Sequence, residues 1–298
     1  MRASTPVISL LPLLVVLGAS TAAENTVTDS ALQVRGIFNA ALPGTEPKNS
    51  LHLLFKPHFG DLINKDHLRV PFGMRYGLTE NWEATAELEA YISHGIGDTS
   101  FFAQKGFSSF NLGTKYRLGN RIQPNWDSAV GLDLTRPLGR PPVEVTDGLQ
   151  HVAPFVTFAR PLAGYEDVRV FWGLGADFVN ETTAVGRLEK NQLGDDTATL
   201  TTGLVWEHGS YHYTLEVNWT TTDWLGGPLK GNVLSLRPGI VWRIPKKYTF
   251  DSRGQWLLGL GLRLTNGPDG TDVGAGLKLR VNFDFKKLRQ RFSFSANP

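Results

Sequence analysis

From Val273 onward the chain alternates without a break. Val273, Ala275, Leu277, Leu279, Val281, Phe283 and Phe285 are apolar, and between them stand Gly274, Gly276, Lys278, Arg280, Asn282 and Asp284. Successive side chains of a strand point to opposite faces, so one face of this segment is apolar and the other small or charged. A helix would scatter both sets around its surface. The pattern recurs. Leu68 to Leu78 sets apolar residues against Arg69, Pro71, Gly73, Arg75 and Gly77, and Trp82 to Ile92 sets them against Glu83, Thr85, Glu87, Glu89 and Tyr91. Phe110–Leu118, Tyr211–Trp219 and Leu234–Ile244 follow the same rule, while 51–60 and 151–160 follow it weakly.

The alternation predicts an all-β chain of about twelve strands, at 51–60, 67–79, 81–94, 107–119, 125–138, 151–162, 166–181, 197–208, 211–222, 232–245, 254–266 and 271–285. Two turns fix the register independently. Gly209-Ser210 suits a two-residue type II′ turn with glycine first, which pairs His208 with Tyr211, Trp206 with Tyr213 and Glu207 with His212. Thr79-Glu80-Asn81 as a three-residue loop, with Asn81 in the left-handed conformation, pairs Leu78 with Trp82, Phe72 with Leu88 and Gly73 with Glu87. Both turns put apolar against apolar, as a correct register must.

Alternation alone suits a soluble sandwich as well as a transmembrane antiparallel up-and-down β-barrel. Three features favour the barrel. The strands reach the roughly 9–11 residues of a tilted membrane crossing, where sandwich strands are commonly about 5–6. Connections alternate: 79–81, 163–165 and 209–210 are tight, whereas 95–106, 139–150, 182–196 and 223–231 are long. Short turns on one side and long loops on the other are characteristic of outer-membrane barrels. Finally, the tryptophans gather at strand ends. Trp82, Trp126, Trp206, Trp242 and Trp256 fall on the short-turn side with Tyr211 and Tyr213, and Trp219 and Trp224 near the other rim; only Trp172 is mid-strand. Amphipathic rings prefer the membrane–water interface, so Trp82, Trp126, Trp206, Tyr211, Tyr213, Trp219, Trp242 and Trp256 are the expected aromatic girdle.

Composition excludes other classes. The chain has 298 residues, 41% hydrophobic and 19% charged, without the apolar run of about 20 residues that a membrane helix needs. It has no cysteine, which removes disulfides, thiolate metal sites and a cysteine nucleophile. A formal charge of +2 is no footprint for nucleic acid. No histidine–carboxylate spacing suits a metal, and no phosphate loop or dinucleotide fingerprint is present, so no cofactor is expected. Arg2, the apolar core from Val7 to Leu17 and the small residues Gly18 to Ala23 read as a secretory signal peptide over 1–23. The expected organisation continues with a periplasmic segment at 24–50, the barrel at 51–285 and a basic tail at 286–298. The strand ending at Phe285 has the aromatic terminus read by the barrel-assembly machinery, and the expected location is the bacterial outer membrane, among its lipids.

The polar parity is then the lumen. The expected lining is Arg69, Arg75, Glu83, Glu87, Glu89, Lys115, Arg117, Asp127, Asp133, Arg169, Asp177, Glu207, Glu216, Arg237, Arg243, Arg263, Lys278, Arg280 and Asp284. Unpaired charges in a narrow enclosure are expensive, so many should pair across neighbouring strands. His52, His58 and His212 share that parity.

Leu42-Pro43-Gly44 ahead of the first strand, Arg75-Tyr76-Gly77-Leu78-Thr79-Glu80-Asn81-Trp82-Glu83 at the first tight turn and Gly113-Thr114-Lys115-Tyr116-Arg117-Leu118 beyond the next loop carry a resemblance. The chain resembles the family of outer-membrane transporters named after the meta-cleavage pathway of phenol degradation, over roughly 42–285. The resemblance implies a barrel and passage of aromatic or hydrophobic compounds, and it brings no catalytic residue. The expected function is a channel passing small solutes passively. The alternatives are a non-conducting barrel that is structural or binds a partner, and a lipid-modifying enzyme using His208 beside Ser210 on the outer wall.

Overall fold

The computed structural model describes residues 41–59, 67–93, 102–142, 145–186, 192–226, 230–249 and 255–284. The expected signal peptide and basic tail lie outside them. The described chain is nearly all strand: β1 (Ser50–Phe55), β2 (His58–Phe59), β3 (His67–Gly77), β4 (Trp82–Ser93), β5 (Lys105–Gly119), β6 (Asp127–Pro137), β7 (Leu149–Leu162), β8 (Tyr165–Glu181), β9 (Thr197–His208), β10 (Tyr211–Thr221), β11 (Asn232–Ile244), β12 (Gln255–Gly267) and β13 (Gly270–Asp284). Among the described residues no helix is long and apolar enough to cross a membrane. The strands form one closed, all-antiparallel, twelve-stranded barrel. β1 and β2 are two halves of one stave, since both lie between β13 and β3. Lys56-Pro57 interrupts it because proline has no N–H for the ladder. The backbone bonds Lys56 N to Pro71 O (3.0 Å) and Leu277 N to Pro57 O (3.0 Å) carry the pairing past the break.

Observed strand limits fall within about two residues of those the alternation predicts. The Gly209 turn has the expected register throughout, and Gly209 takes φ +59° while Ser210 does not take a positive φ, as type II′ requires. The first tight turn keeps its register too, with Phe72 opposite Leu88 and Gly73 opposite Glu87. Its backbone corrects one expectation: Asn81 is not left-handed. The turn is closed instead by Trp82 O, which accepts the N–H groups of Leu78 (2.8 Å) and Thr79 (3.2 Å).

The two parities meet different surroundings. Phe72, Met74, Leu112, Val130, Leu134, Leu204, Leu236, Leu260 and Leu262 are exposed on the outer wall. His52, Glu83, Lys115, His212, Glu216, Lys278 and Arg280 are buried on the inner one. Water does not tolerate a continuous apolar exterior of this extent, whereas hydrocarbon does. Closure also pairs each stave with a neighbour on both sides and leaves no free sheet edge, which a membrane-spanning strand needs.

Candidate functional site: the lumen and its two ends

The inner wall changes character with depth. Near the short-turn end, Ala159, Phe171, Val205, Val241 and Leu257 form a buried apolar cluster on strands β7 to β12. Leu42 packs against it. From there the chain crosses the bore as a strap. Pro43, Thr45 and Glu46 are almost wholly buried. Lys115 Nζ donates to Leu42 O (2.9 Å) and pairs with Glu83 (3.0 Å). Glu83 accepts the backbone N–H of Glu46 (2.8 Å), and the Glu46 carboxylate meets Arg280 (3.2 Å) and His52 Nδ1 (2.6 Å). The strap leaves along Gly77, where Lys48 forms a parallel bridge. A methyl group on Gly77 would lie 2.0 Å from Pro47 O, so the crossing requires glycine there. Over 42–48, then, the chain runs inside the cylinder. Alternation could not have found this, because the strap is not a strand.

At mid-depth several inward positions are glycine, interleaved with charged residues. Gly131 and Gly203 each seat an aromatic ring: an added methyl would come within 2.3 Å of Phe155 and 2.4 Å of Phe171. Each ring comes from the paired strand, Phe155 opposite Gly131 and Phe171 opposite Gly203. Each ring therefore lies over the glycine of its paired strand, and Phe171 is also part of the apolar cluster on which Leu42 packs. Gly175 and Gly276 have room for a methyl group, whose nearest neighbours would be Pro154 O at 3.6 Å and His58 Cβ at 3.8 Å, and both are only partly buried. Phe155 and Phe171 were not among the expected lining residues. Both faces of β7 are apolar, so alternation could not assign Phe155.

Many of the charges on the inner parity pair. Arg117 meets Asp127 at 2.8 Å, and Arg263 meets Asp272 at 2.8 Å. Glu87 reaches over the bare surface of Gly73 to Lys56 on the next stave but one. Ser108, the extra residue of a bulge in β5, turns inward and donates to Glu89 Oε1 (2.8 Å). Arg243 lies beside His212 (3.4 Å), and Asn218 donates to Glu216. Asp133 borders Gly113, and Arg237 stands in register with Glu216. Arg69, Arg75, Arg169 and Glu207 hold the same inward parity, whereas the side chain of Asp284 is outside the described residues. Charge is unevenly spread: bases concentrate on β11 to β13, β1 and β3, while the inner faces of β7 to β9 offer mostly glycine, threonine and the two phenylalanines.

At the long-loop end Val145 and Thr146, just ahead of β7, are buried, Val145 being 1% exposed. His151, also absent from the expected lining, bridges Asp177 (2.8 Å) and Asp147 (2.9 Å). Burial pushes the Asp147 carboxyl up, but hydrogen bonds from His151 and the Leu149 N–H outweigh it and hold the group below its ordinary value. Asp147 is within electrostatic reach of Arg69 on the far side of the bore.

The aromatic residues at the short-turn rim form contacts on the outer wall. Trp206 stands 5.2 Å from Tyr213, Tyr211 stacks at 6.5 Å on Trp242, and Trp82 Nε1 donates to Thr114 (2.7 Å). Trp126 meets Trp172 edge-on at 6.4 Å, and Trp219 meets Trp224 at 4.9 Å near the long loops. Trp256 is half-buried, its Nε1 without a partner. His208 lies 5.5 Å from the Trp206 ring.

Neither a protein-family model nor a curated protein sequence matches the chain. Solved structures do resemble it. An outer-membrane channel from Pseudomonas putida F1 has a TM-score of 0.52 at 13% identity, over 83% of this chain and 99% of that one. The KdgM porin has a TM-score of 0.46 at 8% identity, over 78% and 98%. The CymD monoaromatic hydrocarbon channel has 0.38 at 10%, over 80% and 89%. At such identities the likeness is one of fold: the chain has the architecture of an outer-membrane β-barrel.

Proposed function

We propose that this chain is a bacterial outer-membrane channel that passes small solutes passively. The observation that carries the reading is a closed twelve-stranded cylinder with an apolar outer wall, whose inner face carries charges, threonine and small residues. Gly175 and Gly276 on that inner face are only partly buried, which fits a passage rather than a packed core. Proteins of similar fold include channels and porins, which supports the reading. The resemblance to the phenol-pathway transporters adds aromatic or hydrophobic compounds as the solute class. The same reading makes 1–23 the export signal, 286–298 a periplasmic tail, the paired rings an interfacial girdle among outer-membrane lipids, and the barrel-assembly machinery the biogenesis partner. Mature protein reconstituted in planar bilayers should give discrete current steps in potassium chloride. Absence of both current and solute uptake into liposomes would refute it.

One observation favours a second reading, a barrel that does not conduct: the strap at 42–48 occupies the short-turn mouth. Current that appears only after the strap is loosened would mean a closed resting state, and none in either form would mean a structural barrel.

A further inference from the structure

Lys278 is the cation whose surroundings do not balance. It points inward from mid-strand, the ninth residue of β13, and is 6% exposed. Its Nζ is buried without a hydrogen-bond partner. The neighbouring staves supply no counter-ion. Gly259 faces it on β12. On the other side Lys56 stands opposite, one step beyond the Phe55–Leu279 pair. Two bases in that relation repel each other. Glu87 is within electrostatic reach of Lys278 but is paired with Lys56, Glu46 is paired with Arg280 and His52, and Asp133 is within reach of Arg75 without a hydrogen bond to it. Arg75, on the stave beyond, also has a buried Nε without a partner. Burying an ammonium without an anion costs several kcal/mol, so the patch has a standing affinity for negative charge.

The wall across the bore is of another kind. β7 is six strands from β13 in either direction around the barrel, hence diametrically opposite. Phe155, the seventh of fourteen residues in β7, is also mid-strand and lies flat on Gly131. One side of the bore at this depth thus offers unbalanced positive charge, and the other an aromatic face among small residues.

We propose that Lys278 and Arg75 form a binding station for the carboxylate of an organic monoanion, whose apolar body faces the Phe155 wall. The station rests on the conduit reading and names its solute class: amphipathic monocarboxylates rather than neutral hydrocarbons. Two charge-assisted hydrogen bonds hold the carboxylate, and the flat wall opposite accepts carbon without a polar penalty.

The test is equilibrium binding of radiolabelled benzoate to the purified mature barrel in detergent, which needs no passage through the pore. Saturable binding is expected, displaced by unlabelled benzoate and poorly by benzyl alcohol, which lacks the charge, or acetate, which lacks the body. Lys278→Met and Arg75→Gln should each weaken it by about tenfold or more, while Lys105→Gln, on the exposed loop end of β5, should leave it unchanged. Lys278→Met should also resist urea at least as well as the parent, because it deletes an unbalanced buried charge. Undiminished binding by Lys278→Met, equal displacement by benzyl alcohol or acetate, or loss of stability in Lys278→Met would each overturn the station. A barrel that conducts but binds no benzoate overturns the station alone. One that binds benzoate but passes no current overturns the conduit and leaves the station standing.

Discussion

At the scale of single residues, the barrel interior divides between charges that hold the wall together and positions that keep it empty. Lys115 belongs to the first kind. It is nearly buried and ties Glu83 to the strap. Lys115→Met leaves the Glu83 carboxylate uncompensated, which costs on the order of 3–5 kcal/mol, and urea unfolding in liposomes should show a loss of that size. Gly276 belongs to the second kind. A Cβ there clashes with nothing, its nearest neighbour being His58 Cβ at 3.8 Å, so Gly276→Trp should fold, with unchanged heat-modified mobility on a gel, yet cut single-channel conductance severalfold. The sequence already carried the facing of both residues, because parity alone puts Lys115 and Gly276 inward. Their partners were not legible. That Glu83 accepts a backbone N–H from Glu46, or that Phe155 lies on Gly131, depends on contacts that a one-dimensional pattern does not hold.

At the scale of elements, the strands were legible and the segments that cross the bore were not. Period two and two turn motifs set the staves to within a couple of residues, since a one-residue slip would reverse every face. The β1–β2 stave was weak in the sequence because Lys56-Pro57 breaks it. β7 was weak because Phe155 and Phe158 put apolar groups on both faces. The strap has no period at all; its place is fixed by the Glu46 carboxylate between Arg280 and His52 and by Leu42 in its apolar seat. Glu46→Gln keeps the shape and removes the charge. It should loosen the strap and raise the conductance, or the open fraction, by a few fold relative to the parent. An unchanged current would mean that the strap is no barrier.

At the scale of the whole molecule, the fold inverts a soluble protein, with its apolar atoms outside and its charges within. Nothing but closure makes that arrangement stable. The twelve staves leave no unpaired edge, and many of the lumen charges, though not Lys278, find partners on neighbouring strands or in the strap. The most direct test uses the absence of cysteine from the chain. Single cysteines placed from Val273 to Val281 can be challenged during single-channel recording with a charged, membrane-impermeant thiol reagent. Cysteine at Gly274, Gly276, Lys278 and Arg280 should react and change the current, while cysteine at Ala275, Leu277 and Leu279 should react only with a lipid-soluble maleimide. Uniform reactivity along the strand, or current changes at the odd positions, would contradict the account.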